Sequence, residues 1–327
     1  MRKIYITGGA GYVGAVMVPY LLKQGYQITV IDLMIYGKEV IKPHKNLKII
    51  EGDIRDQPLL ESTLKGHDTV IHLACISNDP SFELNPKLGR SINLESFKPL
   101  VEAAIKSDIE RFIYASSSSV YGVKKEKDVD ENMLLEPLTD YSKFKAECEK
   151  ILLNYKNYSN FTPVILRPAT VCGFSPRQRL DVVVNILTNL AYHKREISVF
   201  GGSQLRPNIH IYDMVRAYEC LLNAKKEDVF GQVFNVGYEN QTVEDLAHIV
   251  KKVVGEDVKI NFFDSNDYRS YHISSKKIQK KLNFFTQKTI EDAVKDLKNA
   301  FENKILTNTL SDEKYFNIKK MNNINLK

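Results

Sequence analysis

The chain reads as an α/β protein, a doubly wound parallel sheet with a smaller second lobe interleaved with it. Three observations lead there. Short apolar runs alternate with amphipathic stretches through the first half, the pattern of strand–helix units around a parallel sheet. A glycine-rich turn, T-G-G-A-G-Y-V-G, joins the first apolar run to the first amphipathic stretch. After Arg167 the rhythm changes to proline-containing loops and scattered β-like patches. At 327 residues the chain has room for one large α/β domain with a smaller one beside it.

Taken in order, the predicted strands are Lys3–Thr7, Gln27–Ile31, Leu47–Glu51, Thr69–Leu73, Arg111–Ala115 and Thr162–Leu166. Runs such as V-I-H-L-A and F-I-Y-A-S are apolar without alternation, which suits strands buried on both faces. Helices are predicted near Tyr12–Gln24, Gln57–Lys65, Pro86–Ser107 and Thr139–Tyr158. Beyond Arg167 come loops with Pro168, Pro176 and Pro207, then a helix near Leu180–His193. The later β-like patches are Ile197–Phe200, Asn208–Ile211, Val233–Val236 and Val258–Phe263. The chain thus divides into the main sheet (1–167), a lobe with returning sheet elements (168–302) and a tail (303–327). That tail is rich in Asn and Lys and lacks periodicity, so it is expected to be loosely held.

With 43% hydrophobic and 26% charged residues, the composition is that of a soluble globular protein. The net charge of +6 is mild and spread along the chain, which argues against a nucleic-acid footprint. Cys75, Cys148, Cys172 and Cys220 lack metal-ligand spacing, so reduced cytosolic thiols and no metal are expected. No apolar run approaches the roughly 20 residues that span a bilayer. The N-terminus enters a strand at once, leaving no room for a signal peptide, and a cytoplasmic location is expected.

The glycine turn is built for a dinucleotide. Gly8 permits the sharp turn, Gly11 lets the backbone approach a pyrophosphate, and Gly14 allows the helix to sit close to the strand. Tyr12 and Val13 complete the segment, and the helix N-terminus offers free N–H groups to phosphates. A bare glycine turn of another α/β protein is the bland alternative. Asp32 closes the second strand, where a carboxylate takes the hydroxyls of an adenosine ribose, and no Arg follows it in D-L-M-I-Y-G. A 2′-phosphate would meet that charge unshielded, so NAD is favoured over NADP. Asp53 and Ile54, after the third strand, suit adenine, although a turn role is equally open to Asp53. Leu73, Ala74 and Cys75 end the fourth strand at the carboxyl edge of the sheet, where such folds bind ligands.

Tyr141 and Lys145 stand one helical turn apart in D-Y-S-K-F-K-A-E. A fixed ammonium beside a phenol favours the phenolate and makes it a usable acid or base. Strand five ends in A-S-S-S-S-V-Y-G and faces the same crevice. Together these three motifs resemble the extended short-chain dehydrogenases/reductases, the NAD-dependent epimerase/dehydratase family, over residues 1 to about 300. The resemblance implies a Rossmann-type sheet. It casts Tyr141 as general acid/base, Ser117 as holder of the substrate oxygen, and Lys145 as anchor of the nicotinamide ribose. It further implies cofactor contacts from Asn93, Ser116 and Pro168. In that family, dehydratases carry an Asp-Glu pair directly after the catalytic hydroxyl. Here those positions are Ser118 and Ser119, which argues against loss of water.

On the substrate side, Ser175–Asn185 and the A-C-I-S-N-D-P-S segment resemble a sub-branch that includes GDP-heptose C4 dehydrogenases of capsule assembly. Arg177, Arg179 and Asn185 are candidate contacts to a nucleotide-diphosphate sugar, with Ser77 and Asn78 from the second segment. Arg206, in R-P-N-I-H, and Arg269, in D-Y-R, match family arginines that reach the nucleotide. The resemblance implies a C4 dehydrogenase or a 4-epimerase in surface-polysaccharide or unusual-sugar synthesis. A 4-keto-sugar reductase and a non-catalytic NAD(H)-binding sensor are the alternatives. A homodimer or tetramer is expected, since the Pro86–Ser107 and Thr139–Tyr158 helices resemble those that pair in family dimers; their exposed apolar residues, such as Phe144, Leu152 and Leu153, also suit packing within the chain.

Overall fold

The computed structural model describes residues 2–77, 84–126, 128–158, 160–265, 270 and 272–324. In chain order the strands are β1 (Lys3–Thr7), β2 (Gln27–Asp32), β3 (Leu47–Glu51), β4 (Thr69–His72), β5 (Arg111–Ala115) and β6 (Thr162–Pro168). There follow β7 (Thr170–Cys172), β8 (Glu196–Phe200), β9 (Leu205–His210), β10 (Gln232–Val236), β11 (Asn240–Thr242) and β12 (Lys259–Phe263). Seven of them form one sheet in the order β10-β6-β5-β4-β1-β2-β3, with every neighbouring pair parallel. The chain steps outward from β1 to β3 and then returns to place β4 on the other side of β1. That reversal opens a crevice at the carboxyl ends of β1 and β4.

Side-chain alternation explains why these strands lack alternating polarity. Ile4 and Ile6 enter one core with the Gly14–Lys23 and Ile211–Asn223 helices, while Tyr5 enters the other. Ile113, Val164 and Leu166 face the first core, and Phe112, Tyr114 and Ile165 face the second. Both faces are buried, so both sets of positions must be apolar.

The smaller lobe has its own core. β7, β9 and β11 form a three-stranded sheet, and β8 pairs with β12 in a parallel ribbon. The helices Val183–Lys194, Val243–Val254 and Ile290–Glu302 join these strands around Ile197, Val199, Leu246 and Val294. β10 leaves the lobe to extend the main sheet beside β6.

Three expectations change. The predicted Pro86–Ser107 helix is interrupted by a π-helical turn at Ser91–Glu95, between Pro86–Arg90 and Phe97–Lys106. The helix expected from Leu180 begins at Val183, and Leu180 before it is tied to the tail, its N–H donating to the Tyr315 carbonyl. The tail is not loose among its described residues. Leu306 and Tyr315 are buried with Leu180, Leu297 and Phe301, Thr309 bonds to Asn189, and the helix Asn317–Asn323 follows. Of the apolar residues named on the two helices, Leu152 takes the intrachain role and is fully buried within its own chain.

His72 at the end of β4 lies against Tyr114 and bonds to the Thr7 hydroxyl at 2.7 Å. Burial, with Lys145 adding to it, pushes its imidazole down from the ordinary 6.5 to about 3. Between those values the unfolded chain binds a proton that the folded chain does not, so this group makes stability rise with pH. Acidification below about 6.5 is therefore expected to lower the urea midpoint. The slope should be gentler in His72→Gln than in the natural chain, and parallel slopes would exclude the imidazole as the cause.

Candidate active site

A cavity of about 360 Å³ opens at the β1/β4 switch point and gathers the glycine turn, the serine cluster and the Tyr141 helix. Gly8 has φ +72°, and a Cβ there would come within 2.6 Å of the Ala74 backbone nitrogen. A side chain at Gly14 would strike the Gly9 carbonyl at 2.4 Å. The turn is thus pressed against the end of β4 on one side and the first helix on the other. Gly11, Tyr12 and Val13 line the cavity between them.

Asp32 sits at its corner, each carboxylate oxygen taking one backbone N–H, from Ala10 and from Met34, at 2.9 Å. Burial raises its pKa, opposed by those two N–H groups and by the Arg177 charge. Asp53 and Ile54 line the same end. Desolvation works against the Asp53 carboxylate, but the hydrogen bonds and charge of Arg55 outweigh it and hold the group below the usual range. Leu73, Ala74 and Cys75 form the wall behind, and Pro168 faces them from β6.

At the other end, Thr139 and Ser142 form a capping box that starts the Asp140–Asn154 helix one residue before Tyr141. Lys145, one turn on, is buried, donates to the Ala115 carbonyl at 2.6 Å and lies 5.8 Å from the centre of the Tyr141 ring. Its ammonium is therefore fixed to the end of β5. Ser117 caps the short turn Ser118–Tyr121 and shares a 2.8 Å hydrogen bond with the Ser119 hydroxyl. Ser117, Tyr141 and Lys145 all line the cavity.

Beneath them lies a buried ion pair. Arg167 Nε and Nη2 donate to the two Glu149 carboxylate oxygens at 2.9 and 2.6 Å, and Nη1 donates to Tyr121 Oη at 2.7 Å. The Ser116 hydroxyl also donates to Glu149. Glu149 stands one turn past Lys145, so one helix face carries Tyr141, Lys145 and Glu149 in succession. The sequence reading did not single out Glu149, although this four-residue spacing is the signal that could have found it.

Several expected residues stand elsewhere. Asn93, in the π-helical turn, spends both ends of its amide on the Ile76 backbone, at 2.8 and 2.9 Å, and holds the loop after β4 rather than lining the cavity. Ser116 does line the cavity, with its hydroxyl donating to Glu149. Asn185 is fully buried, accepts from Gly173 N and donates to Tyr12 Oη and the Arg179 carbonyl. It locks the 173–179 loop onto the glycine turn and lies outside the cavity lining. Arg206 is also outside that lining, held by the pairing of β9 with Gln241 of β11. Asn78 and Arg269 lie outside the described residues.

Arg179 lines the cavity, paired with Asp181 at 2.9 Å and donating to Ser77 Oγ. Arg177 is not at the reacting end. Its guanidinium is stacked 3.5 Å from the centre of the Tyr36 ring, beside Asp32. Burial pushes Arg177 down to about 10. Tyr36 and Asn317 were not foreseen as site residues, and Asn317 carries no motif that marks it. Among the described residues, no cluster of His, Cys, Asp and Glu is placed to hold a metal ion, and no helix is long and apolar enough to cross a membrane.

Fold and site together are those of a dinucleotide-binding α/β enzyme, with Ser117, Tyr141 and Lys145 lining one cavity. The family model for the NAD-dependent epimerase/dehydratase family matches residues 4–237, and the chain belongs to that family, whose cofactor is NAD. A relative in Bacillus subtilis, an uncharacterized UDP-glucose epimerase named YtcB, is 31% identical and covers 80% of this chain and 85% of its own. The human dTDP-D-glucose 4,6-dehydratase is 29% identical, over 85% of this chain and 83% of its own. A UDP-glucose 4-epimerase from Thermotoga maritima, solved with UDP-glucose, superposes with a TM-score of 0.84 at 25% identity, covering 93% of this chain and all of that one.

Proposed function

We propose that the protein oxidises the C4 hydroxyl of a nucleotide-linked sugar to a ketone, either releasing that ketone or returning it with inverted C4. The observation that carries this reading is the distribution of carboxyl groups. Among the described residues that line the cavity, only Asp32 and Asp53 are acidic, and both stand at the β2–β3 end. The reacting end holds Ser118 and Ser119 where a dehydratase carries an acid pair. Serine hydroxyls neither protonate a leaving hydroxide nor remove a C–H proton near neutral pH.

NAD⁺, which the glycine turn, Asp32 and Lys145 would hold in the crevice, would supply the acceptor for the C4 hydride. Tyr141 takes the C4 hydroxyl proton while Ser117 holds the oxygen by hydrogen bonding. Lys145 would hold the nicotinamide ribose, and it keeps a positive charge beside the phenol. Arg179 and Ser77 serve the sugar diphosphate. Run in reverse, the same groups serve a 4-keto-sugar reductase. A non-catalytic sensor has no use for a capped, fixed Tyr-Lys pair, which favours the enzyme. The sub-branch resemblance of Ser175–Asn185 supports a role in unusual-sugar or surface-polysaccharide assembly.

Mass spectrometry of GDP-, UDP-, CDP- and dTDP-sugars incubated with the protein in deuterated water tests this. A product two mass units lighter marks dehydrogenation, and unchanged mass with inverted C4 marks epimerisation. Loss of 18 mass units, or uptake of solvent deuterium into carbon, overturns the C4-only reading.

A further inference from the structure

Arg177 presents an unsolved electrostatic problem inside the cavity. It is 4% exposed, and Nη2 donates to the side-chain oxygen of Asn317. Its Nε and Nη1 are buried without a hydrogen-bond partner among the described residues. A buried guanidinium with two unmet donors is costly, and the cost disappears only when an acceptor arrives. Tyr36 covers one face of the guanidinium and Asp32 stands beside it, while the residues on the open side line the nucleotide cavity. The acceptor must therefore come from what fills the corner after β2.

Asn317 ties that guanidinium to the far end of the chain. Its side-chain nitrogen donates to Ser77 Oγ at 2.9 Å, and its backbone N–H donates to Asp181 at 2.8 Å. One turn further along the same helix, Met321 also lines the cavity and packs against the core that holds Ile54 and Ile92. Three segments remote in sequence, after β2, after β7 and at the C-terminal end, thus close one corner.

We propose that Arg177 recognises the adenosine half of the dinucleotide through Nε and Nη1, and that the C-terminal helix latches this contact through Asn317 and so controls cofactor release. The inference rests on the cavity being the dinucleotide site and is independent of the C4 chemistry. Its ligand is an uncharged ribose–adenine surface. Asp32 and Arg177 together are neutral, so a diol fits there, whereas a 2′-phosphate would place two further negative charges beside a desolvated carboxylate.

The test measures binding, not turnover. Nucleotide-stripped natural protein, Arg177→Gln and Asn317→Ala are titrated calorimetrically with NAD and NADP, and NADH release is followed by its own fluorescence. Removing a charge-assisted contact of this kind is expected to weaken NAD binding by roughly 10- to 100-fold in Arg177→Gln. Asn317→Ala is expected to release NADH several-fold faster, with an association rate close to natural. Melting temperatures without nucleotide separate a lost contact from a lost fold, and if Arg177→Gln does not fold, the Asn317→Ala release rate decides. Unchanged NAD affinity in a folded Arg177→Gln, or an unchanged release rate in Asn317→Ala, overturns the proposal. So does NADP binding that equals NAD binding and is lost selectively in Arg177→Gln. If the natural protein binds neither nucleotide, the reading of the cavity itself fails.

Discussion

Tyr141→Phe is expected to lower nucleotide-sugar turnover by roughly 10²- to 10⁴-fold, the range of a positioned acid or base. The substitution removes one oxygen and leaves the ring, the Thr139–Ser142 capping box and the Lys145–Ala115 hydrogen bond in place. Cofactor binding should therefore stay within a few-fold of natural, and calorimetry with NAD alone checks it. Steady-state turnover on the sugar identified by mass spectrometry supplies the other half. A folded Tyr141→Phe protein that retains turnover within tenfold would remove Tyr141 from the proton path. Ser117→Ala should show a milder loss, since the neighbouring Ser119 hydroxyl lies within hydrogen-bond distance of the same place.

The second large effect is on stability. Glu149→Ala strands the Arg167 guanidinium in the core, where both partners are about 95% or more buried. Breaking one side of such a pair costs about 3–5 kcal/mol, because the surviving charge keeps only the neutral Tyr121 hydroxyl and has no counter-charge. Urea denaturation should register that loss. Replacing both residues with Met should recover much of it, since an apolar pair removes the stranded charge. The same lesion frees the Ser116 hydroxyl and loosens the end of β5, so turnover per folded molecule should also fall. A Glu149→Ala protein as stable as the natural chain would mean that water reaches Arg167, and would end the argument that this pair clamps the helix to the sheet.

What was legible in the sequence shares a physical character: it is local. Tyr141 and Lys145 are four residues apart, and any helix brings them to one face. The glycine turn occupies eight consecutive residues, and Asp32 ends the strand next to the first. Burial on both faces made the sheet strands readable as unbroken apolar runs. The placement of Asn93 is not legible, because nothing in S-I-N-L announces a π-helical turn that swings its amide toward Ile76. Arg206 belongs to a readable motif, yet strand pairing with Gln241 sets where it lies. Arg177 and Asn185 share one segment, but the loop's course depends on Tyr12, Gly173 and Asn317, all distant in sequence or fixed by distant partners. The tail looked featureless because its anchoring residues, Leu306, Tyr315 and Met321, are too widely spaced to form a periodic face.

Local sequence was enough for the alternating α/β order, the glycine turn and the pairing of phenol with ammonium one helical turn apart. Each depends on contacts within a few residues, and backbone periodicity alone settles them. The tertiary structure alone decided that the serine cluster rests on a buried Glu149–Arg167 pair. It alone carried Arg177 to the corner beside Asp32 and Tyr36, and brought the C-terminal helix up against it. Those placements follow from which buried charges and amides find partners across the whole chain. That matching exists only once the sheet, the lobe and the tail have closed on one another.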